Sequence, residues 1–218
     1  MRVASDPTEA FLATLQFTND SLTEVFRDLH AILKSRATLS YPLKDIEIIE
    51  LAWADGPNRE FHLHFFPNGE LEVLFASNWR SESGQFRIGF LPNSVQILNI
   101  LDCHQEYPLH TRHLPRNAED VRLRTNRLFG SLDLQHLPSR LVYFDVVDNE
   151  FSGNIFFGNL PDTLKVIDLK YNIFLRRTVF YGKLPSGIKE INVSHTPIKR
   201  AKPIRQEWEV DEKLIFKF

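Results

Sequence analysis

The sequence predicts an α/β solenoid, a right-handed coil of short turns whose strands form one parallel β-sheet on the concave side. Three observations carry that prediction. Leu-Pro recurs at Leu91, Leu114, Leu137, Leu160 and Leu184, in steps of 23, 23, 23 and 24 residues, and a fixed period of this size marks stacked repeats. Apolar residues hold constant offsets inside each period: Val95, Ala118, Leu141, Leu164 and Ile188; then Leu98, Val121, Phe144, Ile167 and Ile191; then Ile100, Leu123, Val146, Leu169 and Val193. Three residues further on stand Cys103, Asn126, Asn149, Asn172 and Thr196.

Each part of that pattern has a physical reason. The last two apolar positions are two residues apart, so both side chains leave a strand on the same side, while one repeat alone cannot bury that side. Stacking buries it, because each turn covers the next. Where the chain turns inward after the strand, its backbone groups need partners, and an asparagine amide supplies both donor and acceptor. Cys103 reads as the first rung of that column.

The pattern L-x-x-L-x-L-x-x-(N/C) resembles that of the leucine-rich repeat proteins, over residues 66 to 200. Asn149-Glu150-Phe151-Ser152-Gly153-Asn154-Ile155 is similar to the N-x-(L/F)-S-G-x-I stretch of plant-type repeats, and Asn126-Arg127-Leu128-Phe129-Gly130-Ser131-Leu132 is a weaker copy. Phe156 stands where plant repeats carry proline, and flanking cysteine pairs are missing, so the resemblance is to the superfamily. It implies a non-enzymatic module that binds a protein on its concave sheet.

In chain order, the expected single domain of residues 1–218 has an N-terminal helix and strand cap (1–65), repeats (66–200) and a C-terminal strand or hairpin cap (201–218). Asp6-Pro7-Thr8-Glu9 and Ser21-Leu22-Thr23-Glu24 are helix-start patterns. Leu22, Val25, Phe26, Leu29, Ile32 and Leu33 follow at helical spacing, predicting a helix from Leu22 to Ser35 that covers the first turn. Alternation then predicts strands around Ile46–Leu51 and Phe61–Phe65, the second joined through Pro67-Asn68-Gly69 to a strand at Leu71–Phe75. Val73-Leu74-Phe75 with Asn78 reads as the L-x-L-x-x-N of a degenerate first repeat, its strand paired with the hairpin on one side and the parallel sheet on the other. Phe151 and Phe174 share a column with Leu128, predicting an internal spine that Ile198 continues. Trp208, Val210, Leu214, Phe216 and Phe218 alternate around Asp211-Glu212-Lys213 and predict the closing hairpin or strand.

Composition narrows the function classes. A net charge of -2 gives no global pull toward nucleic acid or membrane. No apolar run is long enough to span a bilayer, the first residues carry no secretory core, and one cysteine excludes an intramolecular disulfide, so a cytoplasmic protein is expected. No phosphate loop, zinc-protease motif or nucleophile elbow occurs, so neither catalysis nor a cofactor is expected. Cys103, His104, His110 and His113 are close in sequence, but a tetrahedral zinc site is not expected where the cysteine points inward and the histidines lie in the outer loop.

The residues between the buried positions should face outward on the concave sheet. From those columns the candidate protein-binding set is Arg122, Arg124, Tyr143, Asp145, Val147, Asp168 and Tyr171, since arginine and tyrosine are favoured where binding energy concentrates. Six strands at ~4.8 Å spacing would give a face about 25 Å wide. The alternative is a structural subunit of a larger assembly, ribonucleoprotein included, anchored by the basic C-terminal exit Lys199–Arg205 and the cap surfaces.

Overall fold

Two inward side chains flanking one outward residue define every turn. Leu98 and Ile100, Val121 and Leu123, Phe144 and Val146, Ile167 and Leu169, and Ile191 and Val193 are all buried. The computed structural model describes residues 38–39, 49–53, 60–66, 70–79 and 86–218. Both expected N-terminal helices lie outside the described residues, as does the Asn-Gly turn.

The strands in chain order are β1 (Thr38–Leu39), β2 (Ile49–Trp53), β3 (Glu60–Phe65), β4 (Leu71–Ser77), β5 (Ile97–Leu101), β6 (Asp120–Arg122), β7 (Phe129–Ser131) and β8 (Tyr143–Asp145). They continue with β9 (Glu150–Ser152), β10 (Phe156–Phe157), β11 (Val166–Asp168), β12 (Thr178–Tyr181), β13 (Glu190–Asn192), β14 (Arg200–Pro203) and β15 (Phe216–Lys217). Among the described residues, ten of them form one sheet in the order β1-β2-β3-β4-β5-β6-β8-β11-β13-β15. Pairing is antiparallel from β1 to β4 and parallel from β4 to β15. β4 is therefore the seam expected of the degenerate first turn, paired antiparallel to β3 and parallel to β5.

Its register differs from the expected one by a single residue. Leu74 pairs with Leu98 and Ala76 with Ile100, and both are fully buried, whereas Val73 and Phe75 face the other side. Trp79, not Asn78, then occupies the asparagine column, while Asn78 adopts the left-handed conformation at φ 58°. A one-residue slip exchanges the two faces of a strand, and Val73-Leu74-Phe75-Ala76 is apolar on both, so alternation could not choose between them.

The asparagine column holds successive turns together. Asn149 Oδ1 accepts from the Leu128 N–H at 3.0 Å, and its Nδ2 donates to the carbonyls of Leu123, Val146 and Val147. Asn126 and Asn172 repeat the arrangement. Cys103 is buried, its thiol donating to the Leu101 carbonyl at 3.2 Å, and burial pushes its pKa up to about 12. Leu128, Phe151, Phe174 and Ile198 form the buried spine. Gly130 and Gly153 end equivalent stretches at φ 95° and 76°, a backbone region in which other residues are strained.

The opposite side of the coil carries short strands absent from the sequence expectation. β7 pairs with β9, and β10, β12 and β14 form a three-stranded parallel ribbon. At the C-terminus the alternation does not make one strand. Gln206–Trp208 is a 3-10 turn, a short helix α1 (Glu212–Ile215) begins at Asp211, whose side chain accepts from the Lys213 N–H, and only Phe216–Lys217 joins β13. Leu214, expected inward, sits on α1 and is 77% exposed.

Candidate protein-binding face

The parallel register lines the outward residues into columns. Ile97, Asp120, Tyr143, Val166 and Glu190 form one row across the sheet, and Asn99, Arg122, Asp145, Asp168 and Asn192 the next. After each strand the chain turns through a left-handed residue, at Asp102, Thr125, Asp148, Tyr171 and His195, with φ between 51° and 57°. This conformation is unusual for Thr and Tyr, and it turns their side chains to the rim of the sheet.

The charged residues pair within the face. Arg122 grips Asp120 with two bonds, Nε to Oδ1 at 2.9 Å and Nη2 to Oδ2 at 2.7 Å, and its guanidinium lies 4.6 Å from the Tyr143 ring centroid. The Asp120 carboxylate raises the Arg122 pKa further. Arg124 Nε donates to Asp145 Oδ2 at 2.5 Å. Burial opposes the charge on Arg124, but the Asp145 bond and charge outweigh it and raise its pKa. Lys170 Nζ lies 3.3 Å from Asp168 Oδ2. The Asp168 pKa is nonetheless raised, by burial first and by the neighbouring Asp145 charge.

Asp145 and Asp168 therefore differ from the expectation that they face a partner. They are 0% and 6% exposed, and each Oδ1 accepts the backbone N–H two residues on, at Val147 and Lys170. Asn192 makes the same bond to Ser194. This is a repeated Asx turn, a local bond that short Asp and Asn side chains make to their own backbone, and it closes the strand end. The three Asx residues in one column were the signal for it. Arg122, Tyr143 and Val147 are half-buried, and Arg124 and Tyr171 are exposed. The structure adds His195, whose ring stacks on Tyr171 with centroids 4.5 Å apart and planes 9° apart.

The residues weighed as metal ligands are separated by burial. Cys103 is buried, while His104, His110 and His113 are exposed, and the last two pack edge to face at 5.3 Å. Among the described residues no group of three or more His, Cys, Asp or Glu is placed to hold a metal ion, and no helix is long and apolar enough to cross a membrane.

The whole arrangement is similar to a solved structure, the LRR ectodomain of the receptor kinase SOBIR1 from Arabidopsis thaliana. The TM-score is 0.51 at 16% identity, covering 85% of this chain and 95% of that one. The fold is a leucine-rich repeat solenoid. No family profile matches the sequence, and no curated protein matches it either. The likeness therefore rests on the leucine-rich repeat backbone path and the residue columns that produce it.

Proposed function

We propose that this leucine-rich repeat domain is a non-enzymatic binding module that presents the concave face of β6, β8, β11 and β13 to a protein. The carrying observation is the stacked Tyr171–His195 pair at the rim, beside the Arg122–Tyr143 pair. Aromatic and arginine side chains held by their neighbours lose little freedom on binding, which is what an energetic anchor requires. The contact set is Arg122, Arg124, Tyr143, Val147 and Tyr171, with His195. Asp145 and Asp168 act through the arginine and lysine they hold. Four strands at ~4.8 Å spacing span about 14 Å, the width of one helix with its side chains.

The same reading takes residues 1–218 as one domain, the coil as right-handed because parallel crossovers take that hand, and both ends as capped. The compartment assigned is the cytoplasm, from the single cysteine.

The test is capture of partners from the native source by wild type and by Val147→Ser/Tyr171→Ala/His195→Ala, with melting curves for both. These three side chains hold no buried charge, so the variant should melt near wild type. One protein lost specifically, with affinity reduced more than about tenfold, supports the concave site. Retention of every partner by the folded variant removes it.

A further inference from the structure

The outer ribbon carries cations that no carboxylate among the described residues neutralises. Along β12 and β14 alternate residues are buried, as Val179, Tyr181 and Ala201, and the residues between them face out. Arg176, Arg177, Thr178, Phe180 and Lys202 line one open hollow on that outer side. Register sets Phe180 beside Lys202 and Thr178 beside Arg200, and the Arg177 carbonyl accepts from both the Lys199 and Arg200 N–H groups. Five cations, Arg176, Arg177, Lys199, Arg200 and Lys202, are thus gathered along β14 and the residues just before β12 and β14.

Among the described residues none of the five has a carboxylate within ion-pair distance. Arg176 donates to the neutral Asn154 amide and Lys199 to the Thr196 carbonyl. On the concave face, by contrast, the arginines are paired. Phe180 is 44% exposed amid this charge, and Leu175, just before Arg176, and Ile204, two residues after Lys202, are 72% and 52% exposed.

We propose that the ribbon is a second interaction surface, which takes an acidic, extended peptide segment carrying a bulky apolar side chain. Unpaired cations interspersed with exposed apolar side chains complement that chemistry. Nucleic acid is disfavoured by the single exposed aromatic in the hollow, since single strands need successive stacking platforms, and by apolar neighbours that phosphate would not cover. The ribbon is about 10 Å wide, and four strand residues run about 13 Å, the footprint of a short peptide. Pro203 at the outer strand lacks an N–H, so recognition runs through side chains and not through an added strand.

The test uses the full chain and fluorescence anisotropy with three labelled probes: a short peptide alternating Glu with Leu and Phe, its Lys counterpart, and a single-stranded oligothymidylate. The acidic peptide should bind tightest. Its Kd should rise about tenfold or more in Arg177→Glu/Lys202→Glu, several-fold in Phe180→Ser, and markedly between about 50 and about 300 mM salt. Arg177→Gln/Lys202→Gln serves the same purpose if charge reversal disturbs folding. The proposal is overturned if the Lys peptide binds as well, if the oligonucleotide binds tighter, or if neither charge variant changes Kd. Tyr171→Ala should leave this binding unchanged, so the concave reading and this one fail separately.

Discussion

A middle turn and the last turn of the coil solve the same backbone problem differently. Asn149 bonds four backbone groups, two of them, the Leu128 N–H and the Leu123 carbonyl, on the preceding turn. Thr196 bonds two, the Val193 carbonyl and the Ile198 N–H, both in its own turn. The asparagine is thus a fastener between turns as well as a local cap, and the end of the ladder gives up the fastening. Coupling between repeats is concentrated in the middle and weakest at the end.

The sharpest way to break that comparison is Asn149→Ala. It strands several buried backbone groups, and the expected loss is about 3 kcal/mol in urea unfolding. Thr196→Ala should cost only about 1 kcal/mol, since both of its bonds lie within its own turn. Equal losses would mean that the asparagine column does not couple the turns.

The converse is Thr196→Asn, which lengthens the side chain to the reach of the other rungs and offers its oxygen to the Phe174 N–H, the equivalent of the group Asn149 serves at Leu128. A gain of about 1 kcal/mol is expected from one added buried bond, read as a higher urea midpoint at unchanged slope. A neutral or destabilising result would show that the last turn is already satisfied in another way.

The smallest effect concerns the Asx column, where Asp168 stands between Asp145 and Asn192. Asp168→Asn keeps the turn bond that Asn192 already makes, and it removes a carboxylate disfavoured by burial and by the Asp145 charge. Loss of the Lys170 pair offsets part of the benefit, leaving a gain of ~0.5 kcal/mol at neutral pH. The native state raises the Asp168 pKa, so it binds the proton more tightly than the unfolded chain. Wild type therefore loses stability as pH rises from the unfolded pKa to the folded one, and the variant does not. The difference between them should be complete above the folded value and vanish below the unfolded one, as followed by melts across the acid range.

How much of this was legible depends on how strictly a column repeats. The rows from Ile97 to Glu190 and from Asn99 to Asn192 could be written down from the repeated pattern alone, because steps of 23 residues, with one of 24 that the Leu-Pro marker also shows, leave no freedom of register. β4 failed that test, since Trp79 replaces the asparagine and both strand faces are apolar. The burial of Asp145 was hidden because its position is outward by period, and it takes the bond from the Val147 N–H together with the Arg124 guanidinium to hold the carboxylate in. The outer ribbon was hidden for a different reason. Phe156-Phe157, Thr178–Tyr181 and Arg200–Pro203 share no residue pattern, and their pairing is imposed by the turns beneath them.

The strands of the main sheet lie in the order in which the chain supplies them, and none crosses over another. Each new parallel strand therefore closes a loop of one repeat, short and nearly constant in length, so the entropic toll of every step is alike. Assembly can spread outward like a zipper from the best-fastened turns around Asn126, Asn149 and Asn172, with the last strand, Phe216–Lys217, the final tooth to engage.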